Sequence, residues 1–243
     1  MSIGHQTEVL SNMHINMDRF PDLPRVETVA AHTGVLTIVG ASPGVAAFVK
    51  EIKQARCVVA INAAHDWLRS KDITPEMVIS LDCSEKMLAY FRNVSARTLF
   101  YLASACSPKL FDHLEGHDMV MWHPYLGIGE EKIADGLLIG GGCTAGLRAI
   151  NVGIVMGYRR FDLYGVDSSY TEQSHVDGHR RGTPIQVTCA GRTFTTSHDM
   201  AAQADSFVDV MRGLAGLPIE INVHGDGLIP HIWKHLRGTP CPQ

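Results

Sequence analysis

Two glycine-rich segments, two aspartates and one histidine- and arginine-bearing loop are the parts of this chain suited to chemistry. Gly40-Ala41-Ser42-Pro43-Gly44 follows an apolar run, and Gly140-Gly141-Gly142-Cys143-Thr144 precedes a long helical stretch. Glycine lets backbone come close to a ligand, and the free amides of a following helix start attract phosphate. The first segment is neither a dinucleotide fingerprint nor a Walker loop, since no Lys-Ser/Thr pair follows it. A plain tight turn is its ordinary alternative. Three consecutive glycines before a helix are costly in backbone entropy unless something requires them. The hydroxyl of Thr144 either caps that helix or meets a ligand.

Asp82 and Asp167 each follow an apolar run directly. Two carboxylates beside phosphates commonly hold Mg²⁺, partly through water. The ordinary alternatives are a helix cap for Asp82 and a turn for Asp167. From Tyr170 to Arg181 the chain carries a phenol, the imidazoles His175 and His179, and the guanidiniums Arg180 and Arg181. Such a loop can close over a substrate, with a histidine as general base and an arginine on phosphate oxygens. A solvated excursion is the alternative. No Gly-x-Ser-x-Gly elbow is present, which sets acyl transfer aside.

The elements that must position these residues alternate. Apolar runs at Val35–Val39, Cys57–Ile61, Met77–Leu81 and Phe161–Tyr164 read as buried strands, with weaker strands at Thr98–Leu102 and Met119–Met121. Helical stretches separate them, to about Gln54, around His65–Ser70, at Ser84–Phe91 and at Thr144–Met156. Ile185–Val187 and Thr193–Thr195 read as a hairpin, Asp199–Leu214 as a helix and Ile219–Val223 as a last strand. The expected fold is therefore α/β, a Rossmann-like doubly wound and mainly parallel sheet in one domain over 34–235, with a C-terminal hairpin and loop elaboration. Residues 1–33 read as an N-terminal arm and 236–243 as a tail.

In such a sheet, ligands sit beyond the carboxyl ends of the strands. Gly40, Ser42, Gly44, Asn62, Gly141, Gly142, Thr144 and Tyr170 are thus expected to border one nucleotide site, with Asp82 and Asp167 as Mg²⁺ ligands. Asp167, His175, Arg180 and Arg181 are the expected catalytic residues.

With 243 residues, 45% of them hydrophobic, the chain can bury one sizeable core. A net charge of −4 leaves no basic excess for a phosphate backbone, so nucleic acid is not an expected partner. Six scattered cysteines without a Cys-x-x-Cys pair read as free thiols in a reducing compartment, hence a cytoplasmic protein. No signal-peptide core and no run of roughly eighteen apolar residues appear, so no membrane span is expected. The arm is compatible with a homo-oligomer.

Taken in order, the junctions resemble a known family. They are Val39-Gly40-Ala41-Ser42-Pro43-Gly44, Ala60-Ile61-Asn62-Ala63-Ala64, Ile73–Asp82, Gly140–Leu147, Met156-Gly157-Tyr158 and Leu163–Asp167, with His175, Thr196-Ser197 and Gly225-Asp226-Gly227 later. The family is that of the hydroxymethylpterin diphosphokinase (MptE-like) enzymes and the sugar-transferring domain of the flagellar motility accessory factors (Maf). The bacterial sialyltransferases are distant relatives of the second group. The resemblance runs from about Leu36 to Ile229 and implies a Rossmann-type transferase with a nucleotide co-substrate and a small-molecule or glycan acceptor.

Pterin enzymes of the family move a pyrophosphoryl group from ATP with Mg²⁺. The motility factors are associated with CMP-activated nonulosonic sugars, and the sialyltransferases need no metal. Asp82, retained where the sialyltransferases carry a neutral residue, and the compact chain favour the Mg-ATP reading. The Ser42-Pro43-Gly44 order and the His- and Arg-rich loop depart from both groups. A CMP-sugar glycosyltransferase is the first alternative, and a non-catalytic nucleotide-binding accessory protein the second.

Overall fold

A computed structural model describes residues 3–170 and 182–238. Its centre is a parallel sheet built from β1 (Val35–Val39), β2 (Val58–Ile61), β3 (Met77–Ser80), β4 (Leu99–Ala103), β5 (Met119–Pro124), β6 (Leu138–Ile139), β7 (Arg160–Tyr164) and β10 (Glu220–Val223). Between the last two, β8 (Ile185–Cys189) and β9 (Arg192–Thr196) form an antiparallel hairpin. The helices are α1 (Ile3–Arg19), α2 (Val49–Gln54), α3 (Ala64–Ser70), α4 (Pro108–His113), α5 (Ala145–Val155), α6 (His198–Leu214) and α7 (Leu228–Gly238). This is the Rossmann-like α/β domain expected from the strand–helix alternation. Among the described residues, no helix is long and apolar enough to cross a membrane.

Every residue of β2 and β3 is buried, which is why these strands read as continuous apolar runs. The two weaker runs are β4 and β5, whose polar or half-exposed positions had diluted their signal. The stretch after Asp82 is a 3-10 helix over Glu85–Tyr90 rather than an α-helix, and a second one, Pro43–Phe48, leads into α2. Pro43 at its first position explains the tight start.

The first 33 residues are not wholly irregular, for Ile3–Arg19 form α1. It docks through Val9, Met13 and Asn16, all buried and spaced for one helix face. Asn12 Nδ2 donates to the carbonyls of Cys83 (3.4 Å) and Ala105 (3.2 Å). One turn on, Asn16 Nδ2 donates to those of Ser104 (2.9 Å) and Cys106 (2.8 Å). Two amides thus fasten α1 to backbone just past the ends of β3 and β4. Asparagines in place of apolar residues are what disguise this helix as a polar arm.

The strand order is β10-β7-β1-β2-β3-β4-β5-β6. From β1 the chain winds through β2 to β6, then returns to place β7 on the other side of β1. The loops after β1 and β7 therefore part company at a topological switch point. They begin in contact: Gly40 N donates to Tyr164 O (2.8 Å) and Ser42 N to Gly165 O (3.1 Å). A Cβ on Gly40 would stand 2.4 Å from Gly165 O, and one on Gly165 2.5 Å from Gly40 O. Gly165 also has φ +66°.

Gly165→Ala is expected to destabilise the fold by about 2–4 kcal/mol, from overpacking plus a left-handed alanine. Gly213→Ala, on α6 with nothing within 4 Å of its added methyl, is expected to stabilise by about 0.5–1 kcal/mol. Urea unfolding of both variants checks this, and equal effects would remove the close crossing as the reason for glycine at 165.

Candidate functional site

A cleft opens where the two loops part. Gly40, Ser42, Asn62, Asp82, Thr144 and Asp167 all line a cavity of about 200 Å³. A second cavity, of about 630 Å³, shares Asn62, Asp82 and Thr144 with it and runs on to His5, Cys83, Arg148 and Ser206. Residues from the ends of β1, β2, β3 and β7 and from the start of α5 thus converge, although they span some of the longest separations in the chain.

Asp167 is the electrostatic centre of the cleft. It is 6% exposed, and its Oδ1 is buried with no hydrogen-bond partner among the described residues. Glycines wall it in, since a Cβ on Gly44 would lie 2.7 Å from Oδ2 and one on Gly225 2.7 Å from Oδ1. Ser42 Oγ accepts from the Asp167 amide at 3.3 Å. Burial pushes the carboxyl up to about 6; the Ser42 hydroxyl opposes the rise and Asp226 adds to it. A buried carboxylate oxygen without a partner suits a cation or a proton donor. Asp82, exposed on the same cavity, adds a second carboxylate. Among the described residues no third His, Cys, Asp or Glu joins this pair as a metal-binding group. An ion held there would fill its shell with water and ligand oxygens, as Mg²⁺ does.

Asp82 does not cap the following 3-10 helix; Ser84 does, accepting from Lys86 N at 3.3 Å. The Asp82 carboxylate instead accepts from Ser84 N at 2.8 Å, which steadies it in a short turn.

The triple glycine is held by α5. Arg148 Nε donates to Gly142 O (2.8 Å) and its Nη1 to Ile139 O (2.6 Å), while Asn151 Nδ2 donates to Gly140 O (2.9 Å). A Cβ on Gly141 would fall 2.0 Å from Asn151 Nδ2, and one on Gly142 2.5 Å from Leu147 Cβ. Close packing, not flexibility, is what these glycines serve. Thr144 is the N-cap of α5, its Oγ1 accepting from Leu147 N at 3.4 Å. The same oxygen accepts from Gln203 Nε2 at 3.2 Å, and Gln203 Oε1 accepts from Ser168 Oγ at 2.9 Å. Gln203 of α6 thereby links the glycine-rich turn to the loop after β7.

Two non-glycine residues of the small cavity have left-handed backbone, Asn62 (φ +46°) and Ser168 (φ +52°). Each costs of order 1–3 kcal/mol unless its surroundings hold it. Asn62 is held by Ser80 Oγ, which donates to its Oδ1 at 2.9 Å.

Of the residues expected at the site, Gly40, Ser42, Asn62, Asp82, Thr144 and Asp167 border the small cavity and Gly142 the larger one. Gly44 lies against Asp167, and Gly141 stands behind the turn against Asn151. Tyr170 is buried; its amide donates to Thr195 O at 2.7 Å and its hydroxyl to Gly182 O at 3.4 Å. Its ring serves the junction with the hairpin. His175, Arg180 and Arg181 lie outside the described residues. His224 stacks on Tyr164 with ring centroids 4.2 Å apart. Arg148, Gln203 and Ser206 escaped the sequence reading. A lone charged residue inside the mainly apolar Ala145–Val155 helix was the available signal for the first.

A parallel sheet with a cleft at its switch point, bordered by glycine turns and a buried carboxylate, defines a Rossmann-like domain with a candidate site at that cleft. Residues 10–173 match the family model described as 6-hydroxymethylpterin diphosphokinase MptE-like. More than half of the chain is matched, and the chain belongs to this family. No curated protein sequence matches it. Its fold is similar to that of the Maf glycosyltransferase from Magnetospirillum magneticum AMB-1, with TM-score 0.66 and 13% identity over 94% of this chain and 41% of that one. The chain thus spans less than half of that protein. A mammalian sialyltransferase structure, described in complex with Gal-beta-1-3GalNAc-ortho-nitrophenol, matches with TM-score 0.44 and 12% identity over 90% of this chain and 79% of that one.

The raised Asp167 carboxyl has a measurable consequence. The folded protein binds this proton more tightly than the unfolded chain, whose carboxyl titrates at the ordinary 3.8. Stability due to this group is therefore full below about pH 4 and is lost as pH rises to about 6. A displacement of about two units amounts to roughly 3 kcal/mol. Asp167→Asn is expected to remove that dependence, so that the stability difference between wild type and variant changes by about this amount between pH 4 and pH 7. Urea unfolding across that range is the check, and a flat difference would assign Asp167 an ordinary titration.

Proposed function

We propose that this protein is a nucleotide-dependent transferase that moves a pyrophosphoryl group from Mg-ATP to the hydroxyl of a small acceptor of the hydroxymethylpterin type. The observation that carries the reading is the buried Oδ1 of Asp167, without a hydrogen-bond partner among the described residues, in a cleft that Asp82 also lines. Family membership supports the same chemistry. Gly40, Ser42, Asn62 and Thr144 hold the nucleotide against the two glycine turns, where backbone can come close to phosphate. Asp82 and Asp167 hold Mg²⁺, which offsets charge on the phosphate oxygens.

The acceptor oxygen bonds to the β-phosphorus as that phosphorus loses its bridging oxygen to the departing nucleoside monophosphate. The hydroxyl proton goes to His175. Arg180 and Arg181 neutralise charge on the moving group. All three lie between Tyr170 and Gly182, and Tyr170 follows directly on the Ser168-Ser169 pair beside Asp167. Such transfer depends chiefly on positioning and electrostatics, which these residue types supply.

A second reading, transfer of a nonulosonic sugar from its CMP form, draws on the same carboxyl. A group held near neutrality and walled by glycine can bear or release a proton with no metal present. The Maf glycosyltransferase provides a fold-level precedent.

A thermal-shift panel of ATP, CMP, CTP, CMP-sialic acid and a hydroxymethylpterin, each with Mg²⁺ and with EDTA, separates the readings. ATP is expected to raise the melting temperature only with Mg²⁺; at about a hundred times Kd the stabilisation is ~2.7 kcal/mol. Asp167→Ala is expected to abolish that Mg²⁺-dependent shift and to lower turnover by about 100-fold or more. A cytidine-nucleotide shift that survives EDTA would transfer the assignment to sugar transfer, and a nucleotide shift with no turnover of any donor would leave a nucleotide-binding accessory role.

A further inference from the structure

We propose that His5, Glu8 and Cys83 form a second metal site, of the zinc type, on the wall of the larger cavity. The three residues come from two elements far apart in sequence, yet their donor atoms all lie within 4.8 Å of one another. Cys83 Sγ is 3.6 Å from His5 Nδ1, and His5 Nδ1 is 3.8 Å from Glu8 Oε2. A tetrahedral Zn²⁺ with Zn–S near 2.3 Å and Zn–N or Zn–O near 2.0–2.1 Å sets its ligands about 3.3–3.6 Å apart. The cluster is therefore close to the spacing an ion requires. Thiolate plus imidazole plus carboxylate selects Zn²⁺ or its mimic Co²⁺ over Mg²⁺ or Ca²⁺.

Placement supports the assignment. His5 and Glu8 are one turn apart on α1, the helix that Asn12 and Asn16 fasten to the backbone of Cys83, Ala105, Ser104 and Cys106. Asn12 donates to the carbonyl of Cys83 itself. The helix carrying two donors is thus tied directly to the residue carrying the third, so the donors are preorganised. His5 and Cys83 both line the larger cavity, and Cys83 is the neighbour of Asp82. Three protein ligands leave one coordination position, the pattern of zinc sites that bind water or a substrate oxygen. An ion here would clamp the first turns of α1 to the loop that carries Asp82 and present an electrophile to an anionic group in the cavity. The site is independent of the Mg-nucleotide reading, because it uses none of the donors assigned there.

The test is Co²⁺ titration of the EDTA-treated, dialysed full chain, read by absorbance, with Zn²⁺ competition for affinity. The expected result is a thiolate-to-cobalt charge-transfer band with tetrahedral visible bands, both displaced by Zn²⁺. Cys83→Ser should lose the charge-transfer band, and His5→Ala and Glu8→Gln should weaken Zn²⁺ binding, the histidine variant by about 100-fold or more. Cys143→Ser, which removes the exposed thiol of the same cavity, should keep the band. His5 and Glu8 are exposed, so their variants keep the test valid even where Cys83→Ser fails to fold. Absence of the band in wild type, its persistence in His5→Ala with unchanged affinity, or its loss in Cys143→Ser alone would overturn the proposal.

Discussion

The contact between Gly40 and Gly165 is the constraint from which the cleft follows. Two backbones meet there with each glycine Cα facing the other's carbonyl, at separations that leave no space for a side chain. Because the loops after β1 and β7 start in contact and leave toward opposite sides of the sheet, a crevice must open beyond them. Asp167 enters that crevice two residues after the crossing, and Ser42 two residues after it on the other strand. The 3.3 Å hydrogen bond between them continues the ties that Gly40 N and Ser42 N make to Tyr164 O and Gly165 O. Moving either loop outward by the width of a methyl group would undo the register of both.

Around this crossing the protein spends stability on polar order. Asn62 and Ser168 hold left-handed backbone, and Asn16 uses its amide protons on two carbonyls, while among the described residues one buried oxygen of Asp167 and that of Asn16 have no partner. Each is a cost of about 1–3 kcal/mol. They are carried by a core that buries both faces of β2 and β3 and encloses Phe91, Phe100, Phe111, Phe161 and Trp122 almost completely. That three of the four strained or unpaired groups named here line the small cavity agrees with a cleft shaped for a ligand rather than for stability.

The sheet was legible because parallel strands buried on both faces leave continuous apolar runs, and these run directly into the residues after them. Gly40, Asn62, Asp82 and Asp167 were readable as one group for that reason, and Thr144 through the glycines and the helix that flank it. What lay hidden was hidden by chemistry that periodicity does not register. α1 docks through asparagine amides, so its inner face reads as polar. Strand β6 is two residues long, below the length at which alternation means anything. Arg148 looks like a solvent residue by type, yet its guanidinium is folded back onto the carbonyls of the glycine turn. Only packing reveals that Gly141 and Gly142 are glycines because Asn151 and Leu147 occupy the space.

The larger cavity follows from the same geometry. It lies beside the small one, bordered by α1 on one side and by Arg148 and Ser206 on the other. Asn62, Asp82, Thr144 and Ala145 line both spaces, so the two share a wall. Gly40 and Asp167 line the small cavity, and Gly142 with Arg148 lines the larger one. Asp82, steadied by Ser84 N, stands at their boundary. A carboxylate in that position is exposed enough to exchange water for a ligand and fixed enough to orient it. This makes the boundary, rather than either cavity alone, the place where the two spaces share polar groups.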